Sequence, residues 1–179
     1  MDWQAEIDRH YPSGREVRDI LLLHSRSVAD LALSIARKKQ LPLDSADIET
    51  AAMLHDIGII ATDAPGIDCH GSLPYLAHGA AGADMLRADG IDETFARVAE
   101  RHTGAGLTDD EIAHAALPLP SGRTYMPETL LEKLICYADC FYSKGGDMTR
   151  KPLERVRTSM QRFGPGIARR FEDLHKMFG

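Results

Sequence analysis

The chain has 179 residues, 44% hydrophobic and 27% charged, which is enough for one buried core and outside the range of disordered, collagen-like or low-complexity proteins. Its longest strongly apolar run, Ile20-Leu21-Leu22-Leu23, is far short of the ~20 residues that cross a bilayer, and Met1-Asp2-Trp3-Gln4 has no signal-peptide character, so a cytoplasmic protein with no membrane partner is expected. The net charge of −6 is uneven: residues 1–143 carry 12 Lys/Arg against 23 Asp/Glu, residues 144–179 carry 9 against 4. The acidic body argues against a nucleic-acid partner, and the basic end is expected to pack on that body or to meet a phosphate. Cys69, Cys136 and Cys140 cannot all pair within the chain and are read as reduced thiols.

The pattern is helical almost throughout, without repeats or a long linker. From Arg15 to Lys39 the positions Val17, Leu21, His24, Val28, Leu31 and Ile35 recur at spacings of three and four, one stripe of a long amphipathic helix that ends before Pro42. Asp44 or Ser45 caps a second helix through Ile48, Ala51, Ala52 and Leu54, stopped by Gly58. Residues 59–75, with Pro65, Gly66, Gly71 and Pro74, read as a loop. Helices are expected over about 76–89, then from the Asp92 cap through Phe95, Val98, Ala99 and His102, then a short one opened by the capping-box pair Thr108 and Glu111. After the irregular stretch 117–122, a helix starting at Pro127 and Glu128 runs through Leu131, Leu134, Ile135, Ala138 and Tyr142, and two more span about 152–163 and 165–178. No alternating strand stands out, so the expected class is all-α, with a core over about 17–143 and the basic helices of 144–179 packed on it as one domain.

A histidine alone on an apolar face is ordinary; here several coincide. At ~100° per residue, His24 lies on the stripe with Val28, Leu31 and Ile35, and His55 shares a face with Ile48 and Ala51, with Asp56 at the helix end. His78 aligns with Gly82 and Met85, His102 with Phe95 and Val98, and Asp139 with Ile135 and Tyr142. Two carboxylates and four imidazoles aimed at one interior are untenable unless something pairs them, and a divalent metal does so. A mixed nitrogen and oxygen set without thiolate suits Mn, Fe, Co, Ni or Zn and gives no reason to prefer Zn. The competing reading of the same residues is an interior hydrogen-bond network.

His24, the pair His55-Asp56 in the string His55-Asp56-Ile57-Gly58, and Asp139 resemble the signature of the HD superfamily of metal-dependent phosphohydrolases, in its HDIG-type branch, over about residues 17–143. The resemblance implies an HD-type helical bundle in which His24, His55, Asp56 and Asp139 bind a divalent metal. The segments His78-Gly79-Ala80-Ala81-Gly82-Ala83 and Arg101-His102-Thr103-Gly104 are similar to those that supply two extra histidines in binuclear members. One or two ions are therefore implied, Mn or Fe favoured over Co, Ni, Mg or Zn, with Asp56 as the bridge if there are two. No Gly-Tyr-Pro motif of cyclic dinucleotide phosphodiesterases is present, which argues against cyclic di-GMP. The His102 to Asp139 block is similar to HD hydrolases of dinucleoside polyphosphates and to uncharacterised HDIG proteins.

The expected reaction is hydrolysis of a phosphate ester or anhydride, with a nucleotide or related small phosphorylated molecule as substrate and metal-activated water as nucleophile. Asp56 and Lys133 are the candidate catalytic residues, and Lys133, Arg101 and His70 the candidate substrate contacts. Arg26 points away from His24 and reads as a surface residue, as do His10, His114 and His175; Cys136 and Cys140 read as packing residues. Two rival readings stand beside this one: a di-iron HD-type oxygenase, and a non-catalytic nucleotide-binding signalling domain.

Overall fold

The computed structural model describes residues 1–179 and contains nine α-helices, three short 3-10 turns and one two-residue hairpin. The all-α class is as expected. Helix α1 (Trp3–His10) opens the chain, an element that periodicity did not reveal because its eight residues offer only two turns. Asp2 caps it, and Tyr11 just beyond it is fully buried.

Helix α2 (Glu16–Lys39) is the long stripe, closed by Gln40 in the left-handed region (φ 53°) rather than by Pro42. Helix α3 (Ser45–Leu54) is capped by Asp44, whose carboxylate accepts from the Ala46 amide at 2.7 Å. It ends four residues before Gly58, and the chain continues as a 3-10 turn over Ile57–Ala61. The 59–75 segment is more ordered than a loop: β1 (Asp63–Ala64) pairs antiparallel with β2 (Cys69–His70) around a 3-10 turn at Pro65–Ile67.

Helices α4 (His78–Ala88) and α5 (Glu93–Arg101) form a tight pair. Helix α6 (Asp109–His114) carries the predicted capping box of Thr108 and Glu111. Helix α7 (Leu130–Asp139) starts three residues later than Pro127, because Thr129 and Glu132 make a second capping box that sets the true N-terminus. Its last residue is Asp139.

Helices α8 (Leu153–Phe163) and α9 (Pro165–Phe178) pack on one another and α9 lies along α7. Phe171 stacks on Tyr137 with ring centroids 5.8 Å apart, and Tyr137 Oη lies 2.8 Å from His175 Nδ1, so His175 is an interhelical contact rather than a surface residue. His10 departs from the surface reading too, since its Nε2 lies 2.6 Å from Asp89 at the end of α4. Two tail cations reach body carboxylates: Lys144 to Asp56, and Arg170 to Glu111 at 2.6 Å. No helix is long and apolar enough to cross a membrane.

Candidate metal centre

Consecutive residues of an ideal helix diverge by ~100°, so His55 and Asp56 could not both face one point if α3 ran on. It does not: His55 is the last α-type residue and Asp56 sits at φ −105°, ψ 11°, where the backbone passes into the 3-10 turn. Both side chains thereby turn into the same interior, and both are wholly buried.

Glycines bring the other histidines to them. A Cβ on Gly58 would run into the backbone of His78 and Gly82, so this glycine lets the turn press directly on α4. Gly79 does the same one layer on, where a Cβ would lie 2.7 Å from the Ala99 carbonyl of α5. His78 at the start of α4 and His102 at the end of α5 thus meet, with Nε2 atoms 3.0 Å apart.

Asp56 stands in the middle. Its Oδ2 is 3.0 Å from His24 Nε2 and 2.9 Å from His55 Nε2, and its Oδ1 is 3.3 Å from His78 Nε2 and 3.3 Å from His102 Nε2. Asp139 Oδ1 joins the first group, 2.9 Å from His24 and 3.5 Å from His55. Two donor sets result, His24, His55, Asp56 and Asp139 on one side and Asp56, His78 and His102 on the other, with Asp56 common to both.

The donors are oriented for a cation. His55, His78 and His102 each place Nδ1 on a backbone carbonyl, of Ala52 at 2.6 Å, Tyr75 at 2.6 Å and Ala99 at 2.8 Å, which leaves Nε2 as the lone-pair atom facing inward. His24 Nε2, His55 Nε2 and Asp56 Oδ1 are buried without a hydrogen-bond partner. Such atoms are costly to bury unless an ion takes them up. The residues fit a divalent metal site; thiolate takes no part in it.

The electrostatics agree. Burial works to raise the Asp56 carboxyl, but His55 and Lys144 hold it well below the usual carboxylate range. Burial works the same way on Asp139, and His24 and His55 pull it well below that range. Burial lowers the His55 imidazolium, yet with no ion bound Asp56 and Asp139 outweigh it and hold its pKa up at about 10, so a metal entering there takes the place of the Nε2 proton. His102 is lowered, chiefly by burial.

The cluster forms the floor of a cavity of about 610 Å³ lined by His78, His102, Asp139, Tyr75, Lys144 and Phe163 among others. Lys144 is the cation that sequence reasoning missed: its Nζ lies 2.6 Å from Asp56 Oδ2. It opens the basic tail, in an irregular stretch with no periodicity to point it inward.

The three sequence-derived substrate contacts lie elsewhere. Arg101 is buried against Glu128 at 2.7 Å and Glu132 at 3.1 Å, because the turn that aims His102 inward sends its neighbour toward α7. Lys133 is absent from the cavity lining. His70 is 61% exposed beside Asp68. Arg26 is half-exposed against Glu49 and Trp3, as expected of a surface residue. The Cys136 and Cys140 thiols are buried and point to the Gly104 carbonyl, at 3.4 and 3.1 Å, tying the segment after His102 to α7.

An all-helical fold closing on a shared-carboxylate cluster of histidine and aspartate defines the class, a helical bundle whose buried donor set fits a divalent metal. The HD domain model matches residues 21–143, and the chain belongs to that family, the superfamily of metal-dependent phosphohydrolase-type proteins. Among curated proteins, it is 34% identical over 176 residues to the tRNA (cytidine(56)-2'-O)-methyltransferase of Thermoplasma volcanium, covering 98% of this chain and 46% of that protein. It is 39% identical over 110 residues to the uncharacterized protein MJ0778 of Methanocaldococcus jannaschii, covering 62% and 56%. The chain thus spans about half the length of these relatives. In fold it is similar to the phosphodiesterase PgpH HD domain of L. monocytogenes, with a TM-score of 0.55 at 16% identity over 97% of this chain and 94% of the other.

Proposed function

We propose that this protein is a metal-dependent phosphohydrolase that cleaves a phosphate ester or anhydride of a nucleotide-like small molecule. The observation that carries the reading is Asp56, one wholly buried carboxylate whose two oxygens each face a separate pair of imidazoles. Such a centre suits two ions, Mn or Fe before others, with His24, His55, Asp56 and Asp139 holding one and Asp56, His78 and His102 the other. A divalent ion so held supplies an activated water near neutral pH and screens phosphoryl charge.

The chain's own residues do the rest. The cavity volume suits a mononucleotide-sized ligand. Lys144, with a strongly raised pKa because Asp56 and Asp139 outweigh its burial, stays an ammonium and is placed to meet phosphoryl oxygens. Phe163, 64% exposed, lines the same cavity and offers a flat apolar face to a nucleobase, while Tyr75 stacks on the His78 ring with centroids 4.8 Å apart. The PgpH HD domain structure with cyclic-di-AMP supports a nucleotide-type substrate for this fold. The methyltransferase name belongs to proteins of which this chain spans less than half, and methyl transfer is not carried over.

The test is metal analysis of chain purified without chelator, followed by assay of nucleotides and phosphate esters with Mn or Fe. Near two equivalents of metal and turnover that vanishes in Asp56→Ala support the reading. Protein that takes up no divalent metal, or loads metal and hydrolyses nothing, sinks it; oxygen-dependent turnover would favour di-iron chemistry instead.

A further inference from the structure

The basic tail has more cations than it uses. Of its nine Lys and Arg, Lys144 and Arg170 pair with body carboxylates, Arg157 and Lys176 pair within the tail, and Arg169 is exposed on α9. Arg150, Lys151, Arg155 and Arg162 have no carboxylate within ion-pair reach, and all four line one cleft of about 460 Å³ along α8, in which Asp147 is the sole acidic residue. Arg155 and Arg162 are seven residues apart, within ~20° of one another around the helix and ~10 Å along it, with Ser159 between them on the same face. This cleft adjoins the metal-site cavity, since Lys151, Ser143, Gly145 and Ser159 line both.

Unpaired cations gathered in a concave surface repel one another, and an anion relieves that repulsion. Because the cleft leads directly out of the cavity, the anion and the reacting group belong to one molecule. We propose that the cleft is a subsite for a second phosphate, so that the preferred substrate carries at least one phosphate beyond the one that reacts. This rests on the phosphohydrolase reading for the cavity. The occupant is a short phosphate chain rather than a polynucleotide, because a long strand leaving the cleft would run onto a body with 12 Lys/Arg against 23 Asp/Glu.

The double variant R155Q/R162Q tests this. Both side chains are exposed and unpaired, so the fold should be untouched, as a thermal melt would verify. Two readouts are taken: steady-state kinetics on a nucleoside triphosphate and on p-nitrophenyl phosphate, and calorimetric binding of inorganic tripolyphosphate. The expected result is about a tenfold rise in KM for the triphosphate with kcat within about twofold, no change for the monoester, and about tenfold weaker tripolyphosphate binding. Wild-type protein that hydrolyses neither substrate, while tripolyphosphate binding still falls in the variant, removes the hydrolase reading and leaves the phosphate subsite standing. Turnover with both readouts unchanged overturns the subsite. Lost affinity for a short single-stranded RNA with tripolyphosphate binding intact would also overturn it, in favour of a nucleic-acid contact.

Discussion

His78 and His102 face one another Nε2 to Nε2 at 3.0 Å, and in the neutral rings neither nitrogen carries a hydrogen to share, because each ring commits its Nδ1 hydrogen to a backbone carbonyl. Two lone pairs aimed at one spot, with Asp56 Oδ1 3.3 Å from both, call for a cation. His24, His55 and Asp139 are arranged around the other oxygen of Asp56. The expected consequence is selective: His102→Ala lowers bound metal from near two equivalents to near one, whereas Asp56→Ala empties both sites. Elemental analysis of the two variants beside the wild type checks this, and equal losses in both would contradict a shared carboxylate.

Gly58 is needed for packing rather than for backbone freedom. A Cβ there would collide with the backbone at His78 and Gly82, neither of which can swing aside as a flexible side chain could. Gly58→Ala should push α4 away and carry His78 out of register. We expect a loss of about 1–3 kcal/mol in stability, together with weakened occupancy of the site that uses His78 and His102. Chemical denaturation and metal titration on one preparation measure the two effects, and a variant of unchanged stability would refute the close-packing argument.

Lys144 and Lys133 separate what adjacency in space does from adjacency in sequence. Lys144 lies 2.6 Å from Asp56 and lines the cavity; Lys133 does not line it. Lys144→Gln should therefore reduce kcat/KM by about 10²-fold, the scale of removing one charged group from a developing phosphoryl anion. Lys133→Gln should stay within about twofold of wild type. A reversed order of effects would return Lys133 to the site.

Five of the six clustered residues were legible because helical periodicity turns sequence spacing into direction, and five separate apolar stripes each pointed one metal-competent side chain inward; Asp56 was legible only as the second half of the His55-Asp56 pair, since the break that turns it inward is not a matter of period. Arg101 and Lys133 were misread for the same geometric reason. Arg101 neighbours His102 in sequence, but adjacent helical positions diverge by ~100° and it meets Glu128 and Glu132 instead. Lys133 shares α7 with Asp139, yet six residues bring it round to a different face. Lys144 was invisible because the stretch between α7 and α8 is irregular, and nothing but tertiary placement aims it at Asp56. Glycines 58 and 79 show only spacing in the sequence; what they permit is seen once α4 lies against its neighbours.

Tyr11 fastens the turn that presents Asp56. Its hydroxyl donates to the Ile57 carbonyl at 2.6 Å and accepts from the Ile60 amide at 3.2 Å, and the residue is fully buried. Tyr11→Phe keeps the ring and strands both backbone groups, at a cost of about 1–3 kcal/mol. Because the loss falls directly on the chain after Asp56, faster amide exchange should be confined first to residues 57–61. Uniform acceleration across the helices would mean that Tyr11 serves general packing only.

Arg170 joins α9 to the segment after His102, donating to the Gly106 carbonyl at 2.8 Å and the Ala105 carbonyl at 3.2 Å while pairing with Glu111 at 2.6 Å. Burial works to raise the Glu111 carboxyl, but Arg170 and the Thr108 amide together hold it below the usual glutamate value. A carboxyl lowered by folding stabilises the native state above its unfolded pKa, about 4.3, and that contribution is lost as pH falls through the lower folded value. Arg170→Gln should lower Tm by about 2–4 °C at pH 7, where the ion pair is intact. Below pH 4 the gap between variant and wild type should narrow, since protonated Glu111 no longer favours the guanidinium. Melting curves at pH 7 and pH 3.5 for both proteins test this, and a gap that stays the same on acidification would show that Arg170 acts through its carbonyl contacts alone.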